Sequence, residues 1–151
     1  MSAAGSGGGT RSPEVERIVR LFESVQREDL DRLAALYTLD ARFKDPFNEV
    51  QGPEAIRRIF EHMFDTVDEP RFVVHEVIQQ GPQAFLAWDF RFRMKRFNPA
   101  PQTIRGSSHL VLAADGRITL HRDYWDAAEE LYEKLPLLGS LMRWLKRKAA
   151  T

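Results

Sequence analysis

Residues 84–97 read AFLAWDFRFRMKRF. Leu86, Trp88, Phe90, Phe92 and Met94 fall on one side of this run, and Phe85, Ala87, Asp89, Arg91 and Arg93 on the other. That period of two is what an extended strand imposes. The first set must face a core, because burying each large apolar side chain is worth roughly 1.5–3 kcal/mol. Residues 70–80, 102–114 and 117–126 carry the same signal. Asn98-Pro99-Ala100-Pro101 and Asp115-Gly116 supply turns between them, and no helix-length segment intervenes. Four long strands so connected predict an antiparallel, meandering sheet. In residues 102–114 the apolar side is Ile104, Gly106, Ser108, Leu110 and Leu112, which turns Ser108 inward and His109 outward.

Upstream of the strands the period is helical. Ser12-Pro13-Glu14 combines an N-cap, a first-turn proline and an acid at the positive end of the helix dipole. Val15, Ile18, Val19, Phe22 and Val25 follow at helical spacing. A second helix is expected after Asp29, with Leu30, Leu33, Ala34 and Tyr37 on one face. Ala41–Lys44 reads as a short strand ended by Asp45-Pro46. Gly52-Pro53-Glu54 opens a third helix facing inward with Ile56, Ile59, Phe60, Met63 and Val67. Helices followed by a run of strands indicate an α+β layer fold. Beyond Asp126 helical spacing returns: Ala127–Leu135 reads as one helix, and after Pro136 the residues Leu137, Leu138, Leu141, Trp144 and Leu145 mark a second, amphipathic one. The expected organisation is a Gly/Ser-rich flexible arm (1–11), one domain (12–126) and a helical extension (127–151).

The chain has 151 residues, 43% hydrophobic and 29% charged, which is the size and composition of one globular domain. Lys and Arg balance Asp and Glu at 22 each. Arg143, Lys146, Arg147 and Lys148 stand in a tail without acids, so the remainder is mildly acidic and offers no electrostatic footprint for nucleic acid. The favoured reading of the tail is docking on its own domain or dimer mate, or covering the cavity as a lid; the alternative is contact with an anionic membrane surface. No cysteine is present, which excludes disulfides, thiolate metal sites and a Cys nucleophile and suits a cytoplasmic location. The histidines lack ligand spacing, so no metal is expected, and no Gly-rich phosphate loop points to a cofactor.

The last strand divides into Ile118, Leu120, Arg122, Tyr124 and, opposite, Arg117, Thr119, His121, Asp123, Trp125. Periodicity alone would bury the first set. The second gathers an imidazole, a carboxylate and an indole, the composition of a polar pocket floor. Pattern does not choose between them.

Asp29-Leu30-Asp31, Leu36-Tyr37, Phe43-Lys44-Asp45-Pro46, Gly52-Pro53-Glu54-Ala55-Ile56, Asp115-Gly116-Arg117-Ile118 and His121-Arg122-Asp123-Tyr124-Trp125-Asp126, in this order, resemble the nuclear transport factor 2-like superfamily. That superfamily includes ketosteroid isomerases, SnoaL-like polyketide cyclases and limonene epoxide hydrolases. The resemblance covers about residues 13–126. It implies a cone-shaped domain, usually a homodimer, in which helices pack into a strongly curved sheet around an apolar cavity. It implies that Asp45 matches the isomerase's general base. The isomerase's oxyanion donors do not carry over: one position falls near Leu21, next to Phe22, and the other at Ser108. Enolate stabilisation would lose its largest contribution, so steroid isomerisation is not implied. By the same resemblance His121, Asp123 and Trp125 face the cavity, with Asp123 near the position of a catalytic acid.

The candidate catalytic residues are therefore Asp45, His121 and Asp123. The candidate ligand contacts are Phe22, Phe60, Met63, Trp88, Phe90, Phe92, Ser108 and Trp125. Each has a plainer alternative: Asp45 as the cap of a turn, Asp123 and His121 as a surface pair near Arg117, and the aromatic residues as core. The leading expectation is cofactor-independent isomerisation, cyclisation or hydration of a small apolar, oxygenated molecule. The alternatives are a non-catalytic apolar-ligand pocket and a dimerising interaction module.

Overall fold

The computed structural model describes residues 11–95, 99–130, 144 and 147–149. Helix α1 (Pro13–Ser24) starts where Ser12 Oγ accepts the Val15 amide at 3.3 Å, and it buries Val15, Ile18, Val19, Leu21 and Phe22. A 3₁₀ turn (Arg27–Asp29) leads into α2 (Leu30–Ala34). Strand β1 (Tyr37–Lys44), the short β2 (Glu49–Gln51) and helix α3 (Pro53–Thr66) follow. Four strands come next: β3 (Val67–Gln80), β4 (Gln83–Met94), β5 (Pro101–Leu112) and β6 (Ile118–Tyr124). Helix α4 is described over Ala127–Glu130, within the helix expected at 127–135. The expected amphipathic helix at 137–145 and the arm at 1–11 lie outside the described residues, apart from Trp144 and Arg11.

Six strands among the described residues form one sheet in the order β2-β1-β6-β5-β4-β3. The run β3 to β6 is the antiparallel meander the sequence predicts. One pair departs from it: β1 lies parallel to β6. The long connection through α3 and the meander gives the chain room for that parallel return. Pro70 sits in β3, an edge strand where a missing ladder donor is tolerated. Helices α1 and α3 pack against the sheet, and the core of Ile18, Leu33, Tyr37, Phe43, Ile56, Leu86, Leu110 and Ile118 lies between these layers.

Two boundaries differ from the sequence reading. Helix α2 stops at Ala34, and Tyr37 opens β1 rather than closing a helix; β1 therefore begins well before Ala41. Tyr37 finds its hydroxyl partner across the sheet, a tertiary bond that no local periodicity carries. In α3, Phe64 is buried, whereas Ile59 and Met63 are only partly covered because they border a cavity; Val67 starts β3.

A bulge resolves the ambiguity of the last strand. Ile118 pairs with Leu112 and Leu120 with Val111, so Thr119 is an extra residue without a counterpart on β5. An extra residue flips the parity of everything beyond it. Ile118 and His121 are thus both buried, although they stand three apart. Both halves of the alternating pattern are correct, on opposite sides of the bulge.

Gly106 permits a close approach. A Cβ there would lie 2.5 Å from the Trp88 indole of the neighbouring strand. Gly106→Ala must displace that ring, and we expect a loss of about 1–3 kcal/mol from overpacking. Chemical denaturation checks this, with a red-shifted tryptophan emission as the accompanying sign.

Candidate active site

Between α3 and the inner face of the sheet is a cavity of about 540 Å³. Its walls are mostly apolar: Phe43, Ile59, Phe60, Met63, Phe72, Trp88, Phe90, Phe92, Met94, Ile104 and Trp125. Phe90 stacks on Phe72 at 4.7 Å and on Phe92 at 5.1 Å, forming a continuous aromatic wall. Trp125 meets the half-exposed Phe47 edge-on at 5.5 Å. Such a lining suits an apolar ligand, and the few polar groups then fix its orientation.

Asp123 is a polar residue in this lining. It is carried by β6 beyond the bulge, and its side chain is 15% exposed. One oxygen, Oδ1, is held twice: by the Ser108 hydroxyl at 2.5 Å and by His121 Nε2 at 2.7 Å. The support continues behind the wall. Ser108 Oγ accepts the Trp88 indole N–H at 2.9 Å, and His121 Nδ1 lies 2.7 Å from the Tyr37 hydroxyl. A carboxylate only accepts, so His121 Nε2 carries a proton. In the neutral ring Nδ1 then accepts from Tyr37. His121 is 3% exposed and wedged against Phe43 and Phe22, at ring separations of 4.8 and 5.6 Å. This network fixes Asp123 while Oδ2 forms no hydrogen bond among the described residues.

Burial holds the Tyr37 hydroxyl well above its ordinary pKa, and the Asp123 charge adds to the effect. Tyr37 is therefore a neutral donor. The folded protein keeps this proton more tightly than the unfolded chain, whose tyrosines titrate near about 10. The stability so gained is fully present below that pH and is lost as pH rises beyond it. Melting curves from pH 8 to 11 should show a steeper fall for the wild type than for Tyr37→Phe.

Asp45 also borders the cavity, but its carboxylate is spoken for. Oδ1 accepts the amides of Phe47 (2.8 Å) and Asn48 (2.7 Å), and the Asn48 side chain contacts both oxygens. Here Asp45 closes the turn between β1 and β2. Among the other candidates, Phe60, Met63, Trp88, Phe90, Phe92 and Trp125 line the cavity. Phe22, Ser108 and His121 stand behind its wall. The sequence reading did not single out Tyr37 or Phe72. Phe72 was within reach of the β3 alternation, whereas Tyr37 depended on the correct end of α2.

Residues 18–121 match the family model of the SnoaL-like domain. No curated protein sequence matches the chain. Solved structures share the fold. A protein of ketosteroid isomerase-like fold from Catenulispora acidiphila, in complex with trimethylamine, superposes with a TM-score of 0.72 at 16% identity, over 84% of this chain and 96% of that one. An LEH-like epoxide hydrolase from M. tuberculosis gives 0.66 at 21%, over 88% and 96%. TerC co-crystallised with polyporic acid gives 0.68 at 17%, over 78% and 95%. At these identities the solved structures establish the architecture alone. The family match covers most of the chain, from within α1 to His121, and on that ground the chain belongs to the SnoaL-like domain family.

Proposed function

We propose that the cavity binds a small, mostly apolar, oxygenated molecule and that Asp123 performs acid–base chemistry on it without a cofactor. The observation that carries this reading is the divided carboxylate: Oδ1 held by Ser108 and His121, Oδ2 unbonded in an apolar cavity. A general base needs fixed geometry and reach to the proton it takes. His121 orients the carboxylate and steadies its charge, Tyr37 supports the imidazole tautomer, and Ser108 donates to the same carboxylate oxygen as His121. Trp88, Phe90, Phe92, Phe60, Met63 and Trp125 hold the apolar body of the ligand. The reactions within reach are proton transfer beside a carbonyl, as in isomerisation or cyclisation, and activation of water for hydration or epoxide opening. The related folds that hold polyporic acid or act as an epoxide hydrolase support this range. Asp45 serves this reading as a rigid corner of the cavity, supporting the site through its turn.

The test is a panel of apolar ketones and epoxides incubated with the protein in D₂O or H₂¹⁸O. Mass spectrometry then reads deuterium uptake beside the carbonyl, or diol formation. Isotope uptake that requires Asp123 supports the enzyme. Tight binding with no isotope uptake by any compound favours the second reading, a non-catalytic carrier of apolar ligands. The homodimer implied by the family resemblance stands as part of the proposal, checked by light scattering.

A further inference from the structure

Helix α3 carries a second polar feature of the cavity. Ala55, Ile59 and Met63 line it from one side of the helix, and Arg58, His62 and Thr66 do so along an adjacent row at intervals of four. Residues four apart stack on one helix face, so these three form a continuous polar edge. All three are exposed, which puts the edge at the solvent side of the cavity. The two neighbouring arginines differ sharply. Arg57 is engaged by Asp31 at 3.0 Å and Glu61 at 2.7 Å. Arg58 has no hydrogen bond or ion pair among the described residues and borders the cavity.

Resting on the cavity reading above, we propose that Arg58 selects apolar acids: ligands whose carboxylate pairs with its guanidinium at the α3 edge. The planar guanidinium suits a carboxylate because it can donate two parallel hydrogen bonds. Asp123 enforces the same orientation from β6. An anionic end directed there would meet a like charge in an apolar setting, so the neutral, reacting end goes to Asp123 and the anion to Arg58. His62, one turn further on, adds a second donor to the edge. Attraction at one end and repulsion at the other is how a site rejects the reversed pose.

Two fluorescent probes separate the elements of this proposal. Anilinonaphthalene sulfonate and phenylnaphthylamine share one aromatic framework, and only the first carries an anion. Energy transfer from Trp88 and Trp125, which line the cavity, reports binding there when every protein compared carries Trp144→Phe, which removes the one other tryptophan of the sequence. The wild type is expected to bind the sulfonate more tightly than the neutral amine. Arg58→Gln should weaken the sulfonate about tenfold and leave the amine unchanged. Arg57→Gln should alter neither. Equal losses for both probes, or no loss for the sulfonate, would overturn the role of Arg58 while leaving the cavity reading intact. A wild type that binds neither probe would overturn both.

Discussion

Asp123→Asn is expected to lower isotope uptake into a responsive ketone or epoxide by about 10²–10⁴-fold, the usual contribution of a positioned general base. Asparagine keeps the size of the side chain, and its Oδ1 still accepts from Ser108 and His121, so the network that now converges on Asp123 Oδ1 is retained. What changes is the atom facing the cavity, from an oxygen that takes a proton to an amide nitrogen that does not. Apolar ligands should therefore bind the variant with nearly unchanged affinity. Undiminished turnover in Asp123→Asn would remove Asp123 from the chemistry and move attention to Asp45. That carboxylate would first have to release the amides of Phe47 and Asn48.

His121→Leu should be the most damaging single change to stability in this network, at about 2–5 kcal/mol. Leucine fills much of the space between Phe43 and Phe22 but supplies neither hydrogen bond. The buried Tyr37 hydroxyl loses its acceptor and Asp123 loses a donor. Each buried polar group left without a partner costs about 1–3 kcal/mol. Urea denaturation measures the loss. The double variant Tyr37→Phe/His121→Leu should recover part of it, because the stranded hydroxyl is gone. A His121→Leu protein as stable as the wild type would mean that the network contributes nothing to folding.

The sheet was legible because burial enforces it. The inward list Leu86, Trp88, Phe90, Phe92 and Met94 and the inward Ser108 follow directly from alternation, and the structure has them so. The starts of α1 and α3 were equally readable, since the Ser12 cap with Pro13, and the Gly52-Pro53 pair, act within one turn of the chain. The site was legible only in part. His121 and Asp123 stood out by residue type, but the bulge at Thr119 that turns them inward follows from the pairing of β6 with β5. Glu61, four residues after Arg57, is a partner visible in the sequence, whereas the pairing of Arg57 with Asp31 across 26 residues is given only by the fold.

The parallel pairing of β1 with β6 has a kinetic consequence. Tyr37 and His121 stand 84 residues apart, and β1 can join the meander only once β6, a neighbour from far along the chain, exists. Contacts of such separation bear a loop-closure cost before they return anything, so they form late in folding. The bonds from Ser108 and His121 to Asp123 can form within the β5–β6 hairpin, whereas the Tyr37 bond that completes the network waits for the two ends of the chain to meet. A chain that has folded the β3–β6 meander but not yet joined its two ends has much of its sheet and an Asp123 network without Tyr37. The complete network is therefore a property of the fully folded molecule.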